Sequence, residues 1–526
     1  MSHAELTPGA PALSGPDQQF NYAQLRLHVA RLAAALRARG VAPGQRVAVR
    51  LQNSAAFVTV ALACLWLGAA FVPVSAEDPV SRAERTLSDC QPSLLVTSQA
   101  PAPGEPEGGD VAGPGPLPAG PFAVTSYEEL AALGAALPVD DGDVPAADPG
   151  QTAYIIYTSG TTGRAKGVCI PRSALAWAVR QVVAGLGYGT STRSLAVSAF
   201  HFDGSYGNLF ATLAGGGLLV VPRRSDLLFL RPFFEAVLEH RITHCTMSPS
   251  YLRLLMASRH RARLAGSSLR ALGLGGEQVA GDDLERLWAV LPQLQVFNLY
   301  GPTECTIEVT SFPLTADMAH GHVPLGRPSA GTGFHLVEGD RLVESPGQVG
   351  ELYISGPQLM SGYWGDPALT SAVMVELLPG TTCYRTGDLA YFDDRGLYYF
   401  AGRADDVVKR NGVRISLQEV ASALQGAPGV DSATCALFRR EGRAAIAAFV
   451  VPAGPGRAVT TGRAGGAPGP DALAPGTLLE SARLVLPANM LPDEVVVVDG
   501  LPLSSSGKVD RRELLRRAGL EPATEG

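Results

Sequence analysis

Helix-like and strand-like spacings of apolar residues alternate along most of this chain. Leu25 to Arg39 patterns as a helix, and Gln45 to Leu51 follows as a strand. The longest apolar run, Val58 to Val74, is just short of a membrane span and is interrupted by Gly68 and Pro73. It predicts a buried helix, a break at Gly68, and a strand starting over Ala69 to Val74. Further on, Leu218 to Val221 reads as a buried strand, Arg231 to Glu239 as a helix and Thr243 to Met247 as a strand. Such alternation predicts βαβ units with mostly parallel sheets, an α/β fold. From about Asp405 the pattern restarts. A strand over Asp406 to Lys409, a helix over Leu417 to Gln425 and strands over Ala433 to Phe438 and Ala444 to Val451 predict a small α+β domain. The expected division is a large region over 1–404 and a small one over 405–526.

The length of 526 residues is too great for one core. Pro101 to Pro121 and Ala453 to Gly476 are rich in Pro, Gly and Ala, bury little apolar surface, and are expected to be surface loops. A net charge of −7 with scattered arginines gives no footprint for nucleic acid or an anionic membrane. Seven cysteines and nine histidines are dispersed without metal-ligand spacing, as in a cytoplasmic protein with reduced thiols. Met1 to Leu13 lacks the basic and apolar regions of a signal peptide.

Chemistry concentrates in Tyr157 to Gly167. After the apolar Ala153 to Ile156 come Thr158, Ser159, Gly160, Thr161, Thr162, Gly163, Arg164, Ala165 and Lys166. Glycines let backbone amides approach an anion, hydroxyls add donors, and Lys166 adds charge, so the loop suits a polyphosphate. It is not the common P-loop, because Gly167 follows the lysine where Ser or Thr belongs. Asn298 to Glu304 reads Asn-Leu-Tyr-Gly-Pro-Thr-Glu around a Gly-Pro turn. A tyrosine face can stack on a purine, an amide can pair with its edge, and a carboxylate can take Mg²⁺. Tyr384 to Leu389 offers Asp388 in an expected tight turn, Gly402 to Asp405 follows Phe400, and Ser504 to Arg511 displays Lys508.

In this order, from Phe20-Asn21-Tyr22 to Lys508, the motifs resemble the adenylate-forming enzymes, and most closely the adenylation domains of nonribosomal peptide synthetases. The resemblance spans essentially the whole chain. It implies a large core with a mobile C-terminal domain, ATP and Mg²⁺ as cofactors, and a carboxylic acid as substrate. Residue by residue, it implies that Thr158 to Lys166 hold the β- and γ-phosphates. Asn298 and Tyr300 would bind adenine, and Gly301 would also belong to the ATP site. Thr303 would touch the α-phosphate and Glu304 would hold Mg²⁺. Asp388 and Arg403 would hold the ribose, and Phe400 would also belong to the ATP site. Lys508 would bridge the substrate carboxylate and the α-phosphate, and Asp405 would be the hinge that turns Gly412 towards a thiol.

The substrate class rests on Phe202-Asp203-Gly204-Ser205. In the resembling peptide-synthetase domains an Asp here pairs with the substrate's amino group; otherwise it is an exposed turn residue. Gly207-Asn208 stand where Trp-Glu is usual, a variant closer to stand-alone enzymes that activate β-amino acids for macrolactams, so a β-amino acid is favoured over an α-amino acid. The same resemblance lines the side-chain pocket with Gly204, Gly207, Thr246, Gly273, Gly275, Leu299, Ile307 and Glu308. Glu308 would pair with a second amine or hydroxyl, or face water at the rim. No carrier segment follows Lys508, so the expected acceptor is the phosphopantetheine arm of a separate carrier protein, with coenzyme A as the alternative.

Overall fold

The computed structural model describes residues 3–16, 18–98, 120–138, 148–158, 165–223, 226–227, 230–319, 322–403, 407–410, 413–441, 443–453, 473–502 and 509–523. The long apolar run folds as expected. Ala55–Leu67 is a helix apolar on nearly every side and is largely buried, with Ala56, Leu62, Leu65 and Trp66 partly covered. The Ser54 hydroxyl accepts from the Phe57 amide at 3.2 Å and caps its start. Gly68 ends it at φ 82°, a left-handed backbone that a side chain would strain by about 1–2 kcal/mol. The strand Ala70–Pro73 then enters a sheet between Arg46–Arg50 and Thr152–Thr158, parallel to both.

Two sheets dominate. One has seven strands, five of them parallel, with Lys166–Pro171 and Gly362–Tyr363 added antiparallel at one edge. The other has eight, with a parallel centre carrying His244–Met247, Ala271–Gly275 and Gln295–Tyr300, and antiparallel strands at both edges. A third sheet departs from the parallel expectation. Its strands between Gly333–Glu338 and Tyr398–Arg403 are all antiparallel. The alternating burial of Gly350–Ser355 is the mark of a strand covered on one face. Tyr384 to Leu389 is not a tight turn: it lies inside the long strand Thr381–Phe392, where Gly387 takes φ 74°.

Residues beyond 407 build separate cores. Leu417–Gln425 packs on Val430–Arg440 and Arg443–Pro452, with Val420, Leu424, Ile446 and Leu478 fully covered. Both strands run longer than their apolar stretches suggested. Asp405 and Gly412 lie outside the described residues, as do most of the two Pro/Gly-rich segments. Pro475–Gly476 instead open the helix Pro475–Arg483, since proline suits the first helical position. The small region meets the helix Val80–Cys90 of the large one. Arg82 pairs with Glu419 at 2.8 Å, Ser81 donates to the Leu484 carbonyl at 2.6 Å, and Arg85 donates to that of Val485 at 3.1 Å. No described helix is long and apolar enough to cross a membrane.

Candidate active site

The strands Thr152–Thr158 and Lys166–Pro171 pair with Thr158 opposite Lys166. The segment 159–164 therefore joins two antiparallel strands, not the strand and helix of a P-loop. Ser159, Gly160, Thr161, Thr162 and Gly163 lie outside the described residues. Thr158 borders a cavity of about 550 Å³, and its buried hydroxyl makes no hydrogen bond. A buried hydroxyl without a partner costs about 1–3 kcal/mol, so a ligand oxygen there would relieve it.

Lys166 enters a charged cluster that the sequence did not announce. Its ammonium donates to the Tyr363 hydroxyl at 2.6 Å, lies 4.3 Å from the centre of that ring, and is 3.2 Å from Glu304. Tyr363 in turn donates to the same Glu304 oxygen at 2.8 Å. Glu304 is fully buried. Burial and the Glu304 charge hold the Tyr363 phenol far above its ordinary pKa, so it remains a donor. Tyr363 went unnoticed because its strand is two residues long and shows no periodicity.

The strand Gln295–Tyr300 delivers the second cluster. Tyr300 donates to Asp388 at 2.5 Å, Arg403 bonds the other Asp388 oxygen, and Arg403 also reaches the Thr386 carbonyl at 3.3 Å. The pairing of Asp388 opposite Arg403 across two strands sets this contact. The Tyr300 ring meets Phe334 edge-on at 6.3 Å. Asn298 gives its amide N–H to the Pro324 carbonyl at 2.7 Å. Phe400 packs against the main core. After Tyr300 the chain folds back so closely that a Cβ on Gly301 would sit 2.5 Å from the Glu308 Cα. Gly301 and Thr303 border the cavity; Asn298, Tyr300, Glu304, Asp388, Phe400 and Arg403 are not among its lining residues.

Of the expected substrate residues, Asp203, Gly204, Thr246, Gly275, Leu299, Ile307 and Glu308 line the cavity. Gly207 and Gly273 do not. A Cβ on Gly207 would meet Ile307 at 3.1 Å, and one on Gly273 would meet Leu299 at 2.6 Å. Those two glycines make room for neighbouring side chains, not for a ligand. Asn208 is a buried tie: Tyr188 donates to it at 3.0 Å, and it donates to the Leu195 carbonyl at 2.8 Å. Asp203 occupies the cap position of the helix Gly204–Ala214, yet its side chain makes no capping hydrogen bond. Its charge instead helps hold the buried Tyr154 and Tyr206 phenols well above their ordinary pKa, behind the larger effect of burial. Arg82 and, from the small region, Pro487, Ala488, Asn489 and Met490 also line the cavity. Lys508 lies outside the described residues.

Comparison with known proteins agrees with this architecture. Residues 2–364 match the family described as AMP-binding enzyme. Novobiocin biosynthesis protein H of Streptomyces niveus is 33% identical over 98% of this chain and 82% of its own length. Enterobactin synthase component F of Escherichia coli K12 is 32% identical over 97% of this chain, which spans only 38% of that longer protein. Among solved structures, holo-PA1221, a nonribosomal peptide synthetase protein containing adenylation and PCP domains, superposes with a TM-score of 0.78. It is 26% identical, and the match covers 98% of this chain and 83% of that one. The chain belongs to the AMP-binding enzyme family, the adenylate-forming enzymes. It is an AMP-forming ligase whose relatives include peptide-synthetase adenylation proteins.

Proposed function

We propose that this ligase activates an amino acid with ATP and passes it to the phosphopantetheine thiol of a separate carrier protein. The substrate carboxylate attacks the α-phosphorus, the bond to the β-phosphate oxygen breaks, and pyrophosphate leaves. The thiol then attacks the acyl carbon, and AMP departs. A β-amino acid is favoured over an α-amino acid, on the resemblance of the Asp203 to Asn208 segment to β-amino-acid-activating enzymes.

The observation that carries the amino-acid reading is Asp203. A carboxylate lining the cavity at the start of the helix Gly204–Ala214 would suit a cationic ligand group. Around it, Thr158 would contact the polyphosphate and Thr303 the α-phosphate. The Tyr300–Asp388–Arg403 cluster would meet the ribose, and Asn298 would offer its remaining carbonyl oxygen to adenine. Lys508 would bind the reacting oxygens, and Asp405 would be the pivot between residues 1–404 and 405–526.

Glu304 fits Mg²⁺. It is a buried hard oxygen donor against which a cation, the Lys166 ammonium, already rests. No described group of three or more acidic, His or Cys side chains could hold a metal alone, as suits an ion completed by phosphates. When bound, Mg²⁺ would supply charge neutralisation on the phosphates.

ATP–pyrophosphate exchange with butyrate, 2-aminobutyrate and 3-aminobutyrate tests the reading. The 3-amino isomer should exchange fastest and butyrate least. Preference for the 2-amino isomer across several side chains would replace β by α. Preference for butyrate would remove the amino-acid assignment. Loading of a phosphopantetheinylated carrier should exceed that of coenzyme A at equal concentration; the reverse would assign a coenzyme A ligase.

A further inference from the structure

Glu308 has features that the activation of a simple amino acid does not use. It is 5% exposed, yet it borders the cavity. One of its oxygens accepts from the Ser311 hydroxyl at 2.6 Å, the one side-chain hydrogen bond it makes among the described residues. The backbone that presents it is bent tightly. The Glu308 amide donates to the Thr306 carbonyl at 2.9 Å, two residues back, while Ile307 sits at φ 72° and Thr306 at φ 54°. That is a γ-turn with a positive φ at a β-branched residue, a rare and costly conformation. Strain of this kind persists where the surroundings enforce it, and it gathers at ligand sites. Here Thr306 is anchored to the Gln358 carbonyl at 2.7 Å, and Ile307 packs over Gly207. The turn thus fixes Glu308 and Ile307 against the cavity.

Charge accounting then decides what the cavity would hold. An amino acid brings an ammonium and a carboxylate. Asp203 would take the ammonium, and the carboxylate would go to the reacting phosphate. Glu308 would be left without that compensation; it lines the cavity with Thr246, Leu299 and Ile307, and Arg82 is the one Lys or Arg among the described lining residues. Burial raises its carboxyl to about 7, against the lowering effect of the Ser311 hydrogen bond. A buried carboxylate is costly without a charged partner, and a second cation on the substrate would supply one.

Resting on the amino-acid reading above, we infer that the substrate carries a second ammonium at the far end of its side chain, held by Glu308: a diamino acid.

The test is pyrophosphate exchange with acids matched in length that end in an ammonium, a hydroxyl or a methyl group. Each is used as the 2-amino isomer, the 3-amino isomer and the acid lacking that amine. In the unaltered enzyme the ammonium-ended amino acid should lead the methyl-ended one by about tenfold or more in kcat/KM. Glu308→Gln should remove that lead, and the ratio of the two within one preparation is independent of how much enzyme folds. A methyl- or hydroxyl-ended amino acid leading in the unaltered enzyme would overturn the diamino acid and leave the amino-acid reading standing. An unchanged ranking in Glu308→Gln would overturn the role of Glu308. Exchange only with acids lacking the 2- or 3-amine would remove the reading beneath, and this proposal with it.

Discussion

The Lys166 ammonium and the Glu304 carboxylate lie 3.2 Å apart, with the Tyr363 hydroxyl bonded to both. The carboxylate is fully buried, so these two contacts help to stabilise its charge. Hydrogen bonds to charged groups are worth about 1.5–3 kcal/mol each. Tyr363→Phe should therefore weaken the Glu304 site, raising the Mg²⁺ concentration needed for half-maximal pyrophosphate exchange by about tenfold. A purely structural role would lower the melting temperature and leave the Mg²⁺ dependence alone. Titration of exchange against Mg²⁺ separates the two.

Asp388 holds Tyr300 and Arg403 together at 2% exposure. Removing one partner of a buried pair costs about 3–5 kcal/mol. Arg403→Ala should destabilise the large region and raise the KM for ATP, while the ranking of acid substrates stays the same. Parallel thermal denaturation and ATP-dependence measurements check this; a changed acid ranking would contradict the assignment to the nucleotide side.

Arg82 and Glu419 are 13% and 7% exposed and tie the small region to the cavity lining. A pair this sheltered should show a coupling of about 1 kcal/mol or more, beyond the value of an exposed pair. A double-mutant cycle of Arg82→Ala and Glu419→Ala on thermal stability measures it. Additive effects would mean that the contact contributes nothing.

Lys508 should act in adenylation and not in thiol transfer, since the small region is proposed to turn between the steps. Lys508→Ala should abolish pyrophosphate exchange and spare transfer from a supplied aminoacyl-adenylate. Equal loss in both assays would contradict an alternating domain.

Local patterning carried much of the fold. The helix Leu417–Gln425 and the break at Gly68 were legible because apolar spacing and a glycine stop act over a few residues. The antiparallel sheet from Gly333 to Arg403 was not legible as such. Its strands pair by register, which the periodicity of a single strand does not encode. The site divides in the same way. Short motifs announced Lys166, Glu304, Tyr300, Asp388 and Asp203. Tyr363, the partner of Lys166 and Glu304, was hidden, as were Arg82 and the segment Pro487 to Met490 that line the same cavity, because they arrive from distant parts of the chain. Gly207 and Gly273 show the converse error: a glycine suggests space, but only the fold shows that Ile307 and Leu299 fill it.

The central claim is that Asp203 selects an amino acid. The most direct measurement is pyrophosphate exchange by the unaltered enzyme and Asp203→Asn, each with the best amino acid and the same acid without its amine, alongside ATP binding. Loss of a buried charge partner predicts a fall of about a hundredfold or more in kcat/KM for the amino acid. Exchange with the desamino acid should change little, and ATP should bind as before. An equal fall for both acids, or no fall for either, would contradict the account.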